Sequence, residues 1–258
     1  MMLDCINLLS TQNKHKQDDD IIFYKKNHIY YIKYSQGKYI SVTKLLNPLF
    51  PNVYQYNKQK NTIKNKLIIG GKKTPKKAIL YGTNEKDFKE IGVKLHQLIY
   101  YYSNGCPIKY TNIEFNYFLN FLKDYPEFIP YRSEWLIYNR KYRIVGMVDM
   151  VYKKGNEDEF MIIDWKRSYQ LSTHLNHKSY PYALSPIDNL KNNKENLYYL
   201  QLNLYRYILI KDYDINVSSM YICLLHPKLQ NYQLIKVPIM KREVKKILKY
   251  RKYIIDNT

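Results

Sequence analysis

From Asn84 onward the apolar positions follow a helical period, with Phe88, Ile91, Leu95, Leu98 and Tyr102 recurring at three- and four-residue steps before Gly105. A second helix is predicted to begin at Thr111, which stands in capping-box spacing with Glu114, and to stop before Pro126. The period then changes to two. Segments 132–138, 142–152 and 159–165 read as strands separated by Asn139-Arg140-Lys141 and Lys154-Gly155-Asn156, which predicts an antiparallel meander. An irregular stretch over 168–193 holds Pro181 and Pro186. It is followed by a helix at 195–211, strands at 217–225 and 232–237 around a turn from Pro227 to Asn231, and a basic helix from about 240.

Upstream, residues 1–20 read as a loosely held polar arm. Ile29 to Tyr34, a Ser35-Gln36-Gly37 turn and Lys38-Tyr39-Ile40 predict a β-hairpin. Ser41 and Thr43 are candidate caps of a short helix that Pro48 and Pro51 would end, and residues 55–82 form a lysine-rich connector around Gly70-Gly71 and Pro75. The chain therefore divides into residues 1–82 (arm, hairpin, basic connector) and a core at 83–258. The order of elements predicts an α/β fold, a central mixed sheet flanked by helices.

Composition narrows what such a fold would do. With 258 residues, 45% hydrophobic and 16% aromatic, the chain can bury a proper core. Its net charge of +20 favours polyanionic partners, nucleic acid first and an anionic membrane surface second, although AT-rich codon usage is a competing source of lysine and tyrosine. No apolar run approaches a bilayer span, no basic amphipathic anchor stands out, and Asp4 and Asp18-Asp19-Asp20 around the short N-terminal apolar run do not suit a signal peptide. Cys5, Cys106 and Cys223 are scattered without a CxxC pair, so no disulfide framework, four-cysteine zinc site or four-cysteine iron–sulfur cluster is expected. A soluble, intracellular protein without membrane contact is the expectation.

The candidate chemistry lies in the meander. On a strand Asp164 and Lys166 share one face while Ile163 and Trp165 take the other, so an acid and a base project together from an apolar strand. The preceding strand offers Asp149, and Gly146 before it would let backbone or ligand approach closely. Two carboxylates on neighbouring strands repel unless a cation lies between them, and oxygen ligands suit Mg²⁺ or Mn²⁺. A single D-x-K triplet is more often a plain ion pair. Lys153, Lys154 and Arg167 flank the set as candidate phosphate contacts, with solvated charge as the alternative. Tyr169, His174 and His177 lie in the following loop; His174-x-x-His177 has zinc-like spacing but no evident third ligand.

Taken in order, Glu134, Gly146-x-x-Asp149, Asp164-Trp165-Lys166 and Gln201-x-x-x-Tyr205 resemble the RecB-like branch of the PD-(D/E)XK nuclease superfamily over roughly residues 90–210. Gly92-Val93-Lys94-Leu95-His96 is similar to that branch's helical G-x-x-x-H motif, and Ile40-Ser41-Val42-Thr43 resembles the mitochondrial genome maintenance exonuclease group with its viral and phage relatives. The resemblance implies a restriction-endonuclease-like core and catalysis by Asp149, Asp164 and Lys166, with Gln201 and Tyr205 as positioning residues. It implies Mg²⁺ or Mn²⁺ held by His96, Glu134, Asp149 and Asp164, and hydrolysis of DNA, chiefly from single-stranded or free ends. A structure-specific or restriction-like endonuclease and an inactive nucleic-acid-binding module are the alternatives. Three features depart from the family: Tyr100 stands where a glutamate often follows the histidine, Val148 precedes Asp149 in place of proline, and the four cluster cysteines are missing.

Overall fold

The computed structural model describes residues 7–24, 27, 29–51, 85–155, 158–171 and 181–257. The basic connector at 55–82, the side chain of Phe88, and His174 and His177 lie outside the described residues.

Eight strands and six helices are described: α1 (Leu8–Gln12), β1 (Ile21–Tyr24), β2 (Ile29–Ile32), β3 (Ile40–Ser41), α2 (Val42–Leu46), α3 (Glu85–Ser103), α4 (Ile113–Asp124), β4 (Phe128–Asn139), β5 (Ile144–Lys154), β6 (Phe160–Lys166), α5 (Lys194–Asp212), β7 (Val217–Leu224), β8 (Gln233–Lys236) and α6 (Lys241–Asp256). Strands β4, β5 and β6 form the predicted antiparallel meander. Strand β7 joins β6 in parallel after the α5 crossover, β8 pairs antiparallel with β7, and β3 runs parallel to the start of β5. The result is a mixed six-stranded sheet flanked by helices, beside a separate two-stranded hairpin. No helix is long and apolar enough to cross a membrane.

Burial on both faces explains the nearly continuous apolar run of β6. Phe160 and Ile162 join one core with α2, α5 and α6, whereas Met161, Ile163 and Trp165 join the other with α3 and α4. Asp164 and Lys166 continue the parity of Phe160 and Ile162 and so project on the α5 side.

The N-terminal elements differ from expectation. The hairpin pairs β1 with β2, Ile21 opposite Ile32 and Tyr24 opposite Ile29, while Ile40-Ser41 leaves for the main sheet opposite Ile144 and Val145. Left-handed backbone at Tyr34 (φ 57°) and Gly37 (φ 90°) turns the chain away from the predicted return. The segment 7–20 is docked rather than loose. Asp18 takes Arg132 Nη1 at 2.7 Å and Trp135 Nε1 at 2.8 Å, and Asp20 takes the Tyr138 hydroxyl and Arg140. Charged hydrogen bonds to β4 thus account for an aspartate run that looks solvated in the sequence. Ser41 caps α2 through the Lys44 amide, as expected. Asn112, not Thr111, caps α4. Cys106 is disulfide-bonded, where no disulfide framework was expected, and Cys223 is a buried free thiol.

Candidate active site

The site forms where β5 changes partners. One edge of β5 follows β4 over most of its length. The other edge meets β3 only at Ile144 and Val145, then β6 from Met150 to Lys153, leaving Gly146 to Asp149 between the two. At that splay the Trp165 amide donates to Asp149 Oδ2 at 3.0 Å, and His96 Nε2 lies 3.0 Å from the Trp165 carbonyl. Both backbone groups that a continued β5–β6 ladder would have used are thus satisfied by side chains of the site.

The registers align the acids. Glu134 lies between the paired residues Ser133–Met150 and Trp135–Val148, hence opposite Asp149. One step beyond Met150–Ile163 sets Asp149 opposite Asp164. Glu134 has left-handed backbone in mid-strand (φ 46°), a conformation costing on the order of 1–3 kcal/mol for a residue with a Cβ. Helix α3 brings in the histidine: Leu95 and Ile99 are buried against the sheet, and His96 Nδ1 lies 3.7 Å from Glu134 Oε1 and 3.6 Å from Asp149 Oδ2. The ligand atoms of His96, Glu134 and Asp149 all fall within 4.8 Å of one another, a set that could hold a divalent cation.

Asp164 and Lys166 complete the row. Asp164 is 3% exposed in its side chain, and its Oδ2 lies 2.5 Å from Lys166 Nζ. That contact is a tight, largely buried ion pair, in which the Lys166 ammonium holds the carboxylate oxygen. Lys166 Nζ also lies 4.9 Å from the centre of the Tyr198 ring.

Burial and mutual repulsion set the charges. Burial pushes the Asp164 carboxyl up to about 6 against the pull of Lys166, with the like charge of Asp149 adding to the rise. Asp149 is also raised, first by burial. Burial alone would lower the His96 imidazole, but Asp149 and Glu134 outweigh it and bring it up to about 9. The Lys166 ammonium, disfavoured by burial, is held firmly protonated by Asp164 and Asp149.

Helix α5 supplies the remaining members. Gln201 Nε2 donates to the Tyr205 hydroxyl at 2.9 Å, and the Tyr205 ring lies over Gly146, where an added Cβ would fall 2.4 Å from Cε1. The glycine of G-x-x-D is therefore a seat for this tyrosine. Tyr198 escaped the sequence reading; its signal was spacing, three residues before Gln201 and seven before Tyr205 on one helical face.

The flanking cations are not gathered here. Arg167 Nε donates to Glu114 at 2.8 Å in a buried ion pair. Lys153 pairs with Asp158 at the far end of β5, about 13 Å along the strand from Asp149 at the usual rise, and Lys154 is exposed beside it. Tyr169 packs near His226 instead. On the other side, a cleft of about 780 Å³ opens between the N-terminal elements, α3 and β4, with Phe23, Tyr101, His96 and Glu134 on its walls.

No protein-family model matches the sequence, and no curated protein matches it. Among solved structures, the chain is similar to one described as "Crystal structure of SSO0001", with a TM-score of 0.35 and 12% identity over 100% of this chain and 88% of that chain.

Proposed function

We propose that the protein is a divalent-metal-dependent nuclease of the RecB-like PD-(D/E)XK type, hydrolysing phosphodiester bonds of DNA. One observation carries the reading: Glu134, Asp149, Asp164, Lys166 and His96, dispersed over 71 positions of the chain from His96 to Lys166, converge at one splay of the sheet. Carboxylates crowded together, Asp164 buried and Asp149 and Glu134 partly so, are costly without a counter-cation. The donor set of His96, Glu134 and Asp149 fits Mg²⁺ or Mn²⁺, with the buried Asp164 carboxylate beside it. His96, Glu134, Asp149 and Asp164 would hold the metal, which when bound polarises a phosphate and lowers the pKa of a water.

The residues of the chain have separable tasks. The Trp165 amide fixes Asp149, and the Trp165 carbonyl takes Nε2–H of His96, which turns Nδ1 toward the carboxylates. Lys166, anchored by Asp164 and flanked by Tyr198, neutralises charge that develops on the phosphate. Tyr205, seated on Gly146 and held by Gln201, shapes the wall on the α5 side. The cleft beside His96 and Glu134 gives a strand room to approach. Preference for single-stranded or free ends follows from the resemblance to exonucleases of this branch.

The test uses end-labelled linear single strands, duplexes and closed circles, incubated with Mg²⁺, Mn²⁺ or EDTA alongside Lys166→Ala. Metal-dependent digestion of linear strands is expected, with Lys166→Ala about 10²–10³-fold slower, the loss typical of one electrostatic stabiliser. Cleavage of circles would assign an endonuclease. Binding without cleavage under every metal condition overturns the enzymatic reading.

A further inference from the structure

A second concave site lies at the other end of β5. Asp149 is five residues beyond Ile144, about 17 Å along the strand at the usual rise, so this site is separate from the carboxylate row. It encloses about 440 Å³, and four of its eight lining residues are cations: Lys38, Lys44, Arg143 and Arg251, with no carboxylate among the lining residues. None of the four enters an ion pair among the described residues.

Two of the cations are held in place by the fold. Arg251 is 8% exposed, and its guanidinium donates through Nε to the Tyr142 carbonyl and through Nη2 to the carbonyls of Lys38 and Arg143. Its Nη1 has no hydrogen-bond partner among the described residues. Arg143 has left-handed backbone (φ 44°), and its guanidinium lies over Gly37, where an added Cβ would fall 2.5 Å from Nη1. Arg251 is lowered by burial and then by the like charge of Arg143, so the two repel. The fold thus keeps like charges together in a concavity without a counter-charge, at a cost that an anion would offset.

We propose that this cleft binds successive backbone phosphates of nucleic acid, as a docking contact remote from the carboxylate row. The choice of nucleic acid as the polyanion rests on the proposed nuclease reading, together with the net charge of +20. The cleft orients the strand and takes no part in bond cleavage.

The test measures binding of a fluorescent single-stranded oligodeoxynucleotide in EDTA, from about 50 to about 200 mM salt. Lys38→Gln/Lys44→Gln/Arg143→Gln is compared with the wild type and with a charge-matched control on the exposed face of α6, Lys241→Gln/Lys245→Gln/Lys249→Gln. Arg251 is left intact because it holds three carbonyls. The cleft variant is expected to reduce the slope of log Kd against log salt by about 2, at about 0.7 per lost phosphate contact, and the control by clearly less. The double Lys38→Gln/Lys44→Gln changes only exposed side chains and should give about two-thirds of that decrease, independent of any effect of Arg143 on folding.

Unchanged binding, or equal losses in the cleft variant and the control, overturns the site. So does a wild type that binds no oligodeoxynucleotide, or a loss seen only with phosphatidylserine-containing vesicles. A wild type that cleaves DNA with metal while the cleft variant binds normally sinks the cleft alone. A cleft-specific slope loss in a protein that never cleaves sinks the nuclease reading and leaves the cleft standing.

Discussion

Gly146 and Tyr205 show how a residue without a side chain serves the site. Because a Cβ at Gly146 would fall 2.4 Å from Tyr205 Cε1, Gly146→Ala must push the ring away. A cost of about 1–3 kcal/mol is expected in urea unfolding, as for other overpacked cores, with Gly146→Ala/Tyr205→Leu recovering part of it. Titration at the site gives a second prediction, for the protein in chelator. His96 rises from 6.5 to about 9 on folding, so its stabilisation is complete below pH 6.5 and is lost as pH climbs through 9. Asp164 rises from 3.8 to about 6, so the folded state binds the proton more tightly and stability also falls as pH increases through that window. The thermal midpoint should therefore decline between pH 6.5 and 9, and His96→Gln should flatten the decline; a wild-type midpoint that holds steady or climbs there contradicts the account. The shared face of Asp164 and Lys166 was legible because a period of two fixes which side chains of one strand project together. The partner of Arg167 was not, since Glu114 reaches it from another element 53 positions away.

At the scale of elements, α5 carries three members of the site, Tyr198, Gln201 and Tyr205, on a helix whose start is pinned by Asn193. The Asn193 side chain accepts the Asn196 amide at 2.9 Å. Asn193→Ala should cost about 1 kcal/mol in equilibrium unfolding, and Asn193→Asp or Asn193→Ser should restore most of it. A loss no larger than that of an exposed surface substitution would mean that packing alone sets the start of α5. Elements with a long, clean period were legible almost to the residue, as with α5 (expected 195–211, found 194–212) and β7 (expected 217–225, found 217–224). Short elements were not. Alternation and a turn signal predict that Ile29–Tyr34 folds back on Lys38–Ile40, whereas the fold pairs Ile29–Ile32 with Ile21–Tyr24 and gives Ile40-Ser41 to β5 as a parallel neighbour. Thr111 was similarly outcompeted: Asn112 caps α4 one residue later, and Glu114 is drawn into the buried pair with Arg167 instead of closing a capping box.

Across the whole molecule, the sheet separates two cores, and the carboxylate row lies at the break in the ladder between β5 and β6. The α/β layout with its mixed sheet was readable from the order of periods along the chain, whereas the docking of residues 7–20 onto β4 depends on aspartates whose partners only the fold brings near. The chain has two tryptophans, and the fold gives one to each core: Trp135 on the α5 side, Trp165 on the α3–α4 side. The backbone amide of Trp165 is hydrogen-bonded to Asp149 itself. Labelling tryptophan alone with ¹⁵N would therefore reduce the amide spectrum to two resonances, one of them wired to a carboxylate of the site. A cation that draws electron density from Asp149 should weaken that hydrogen bond and move the Trp165 signal while leaving Trp135 in place. Titration with Mg²⁺ would then yield an affinity without any substrate; equal movement of both signals, or of neither, would mean that the ion does not engage Asp149.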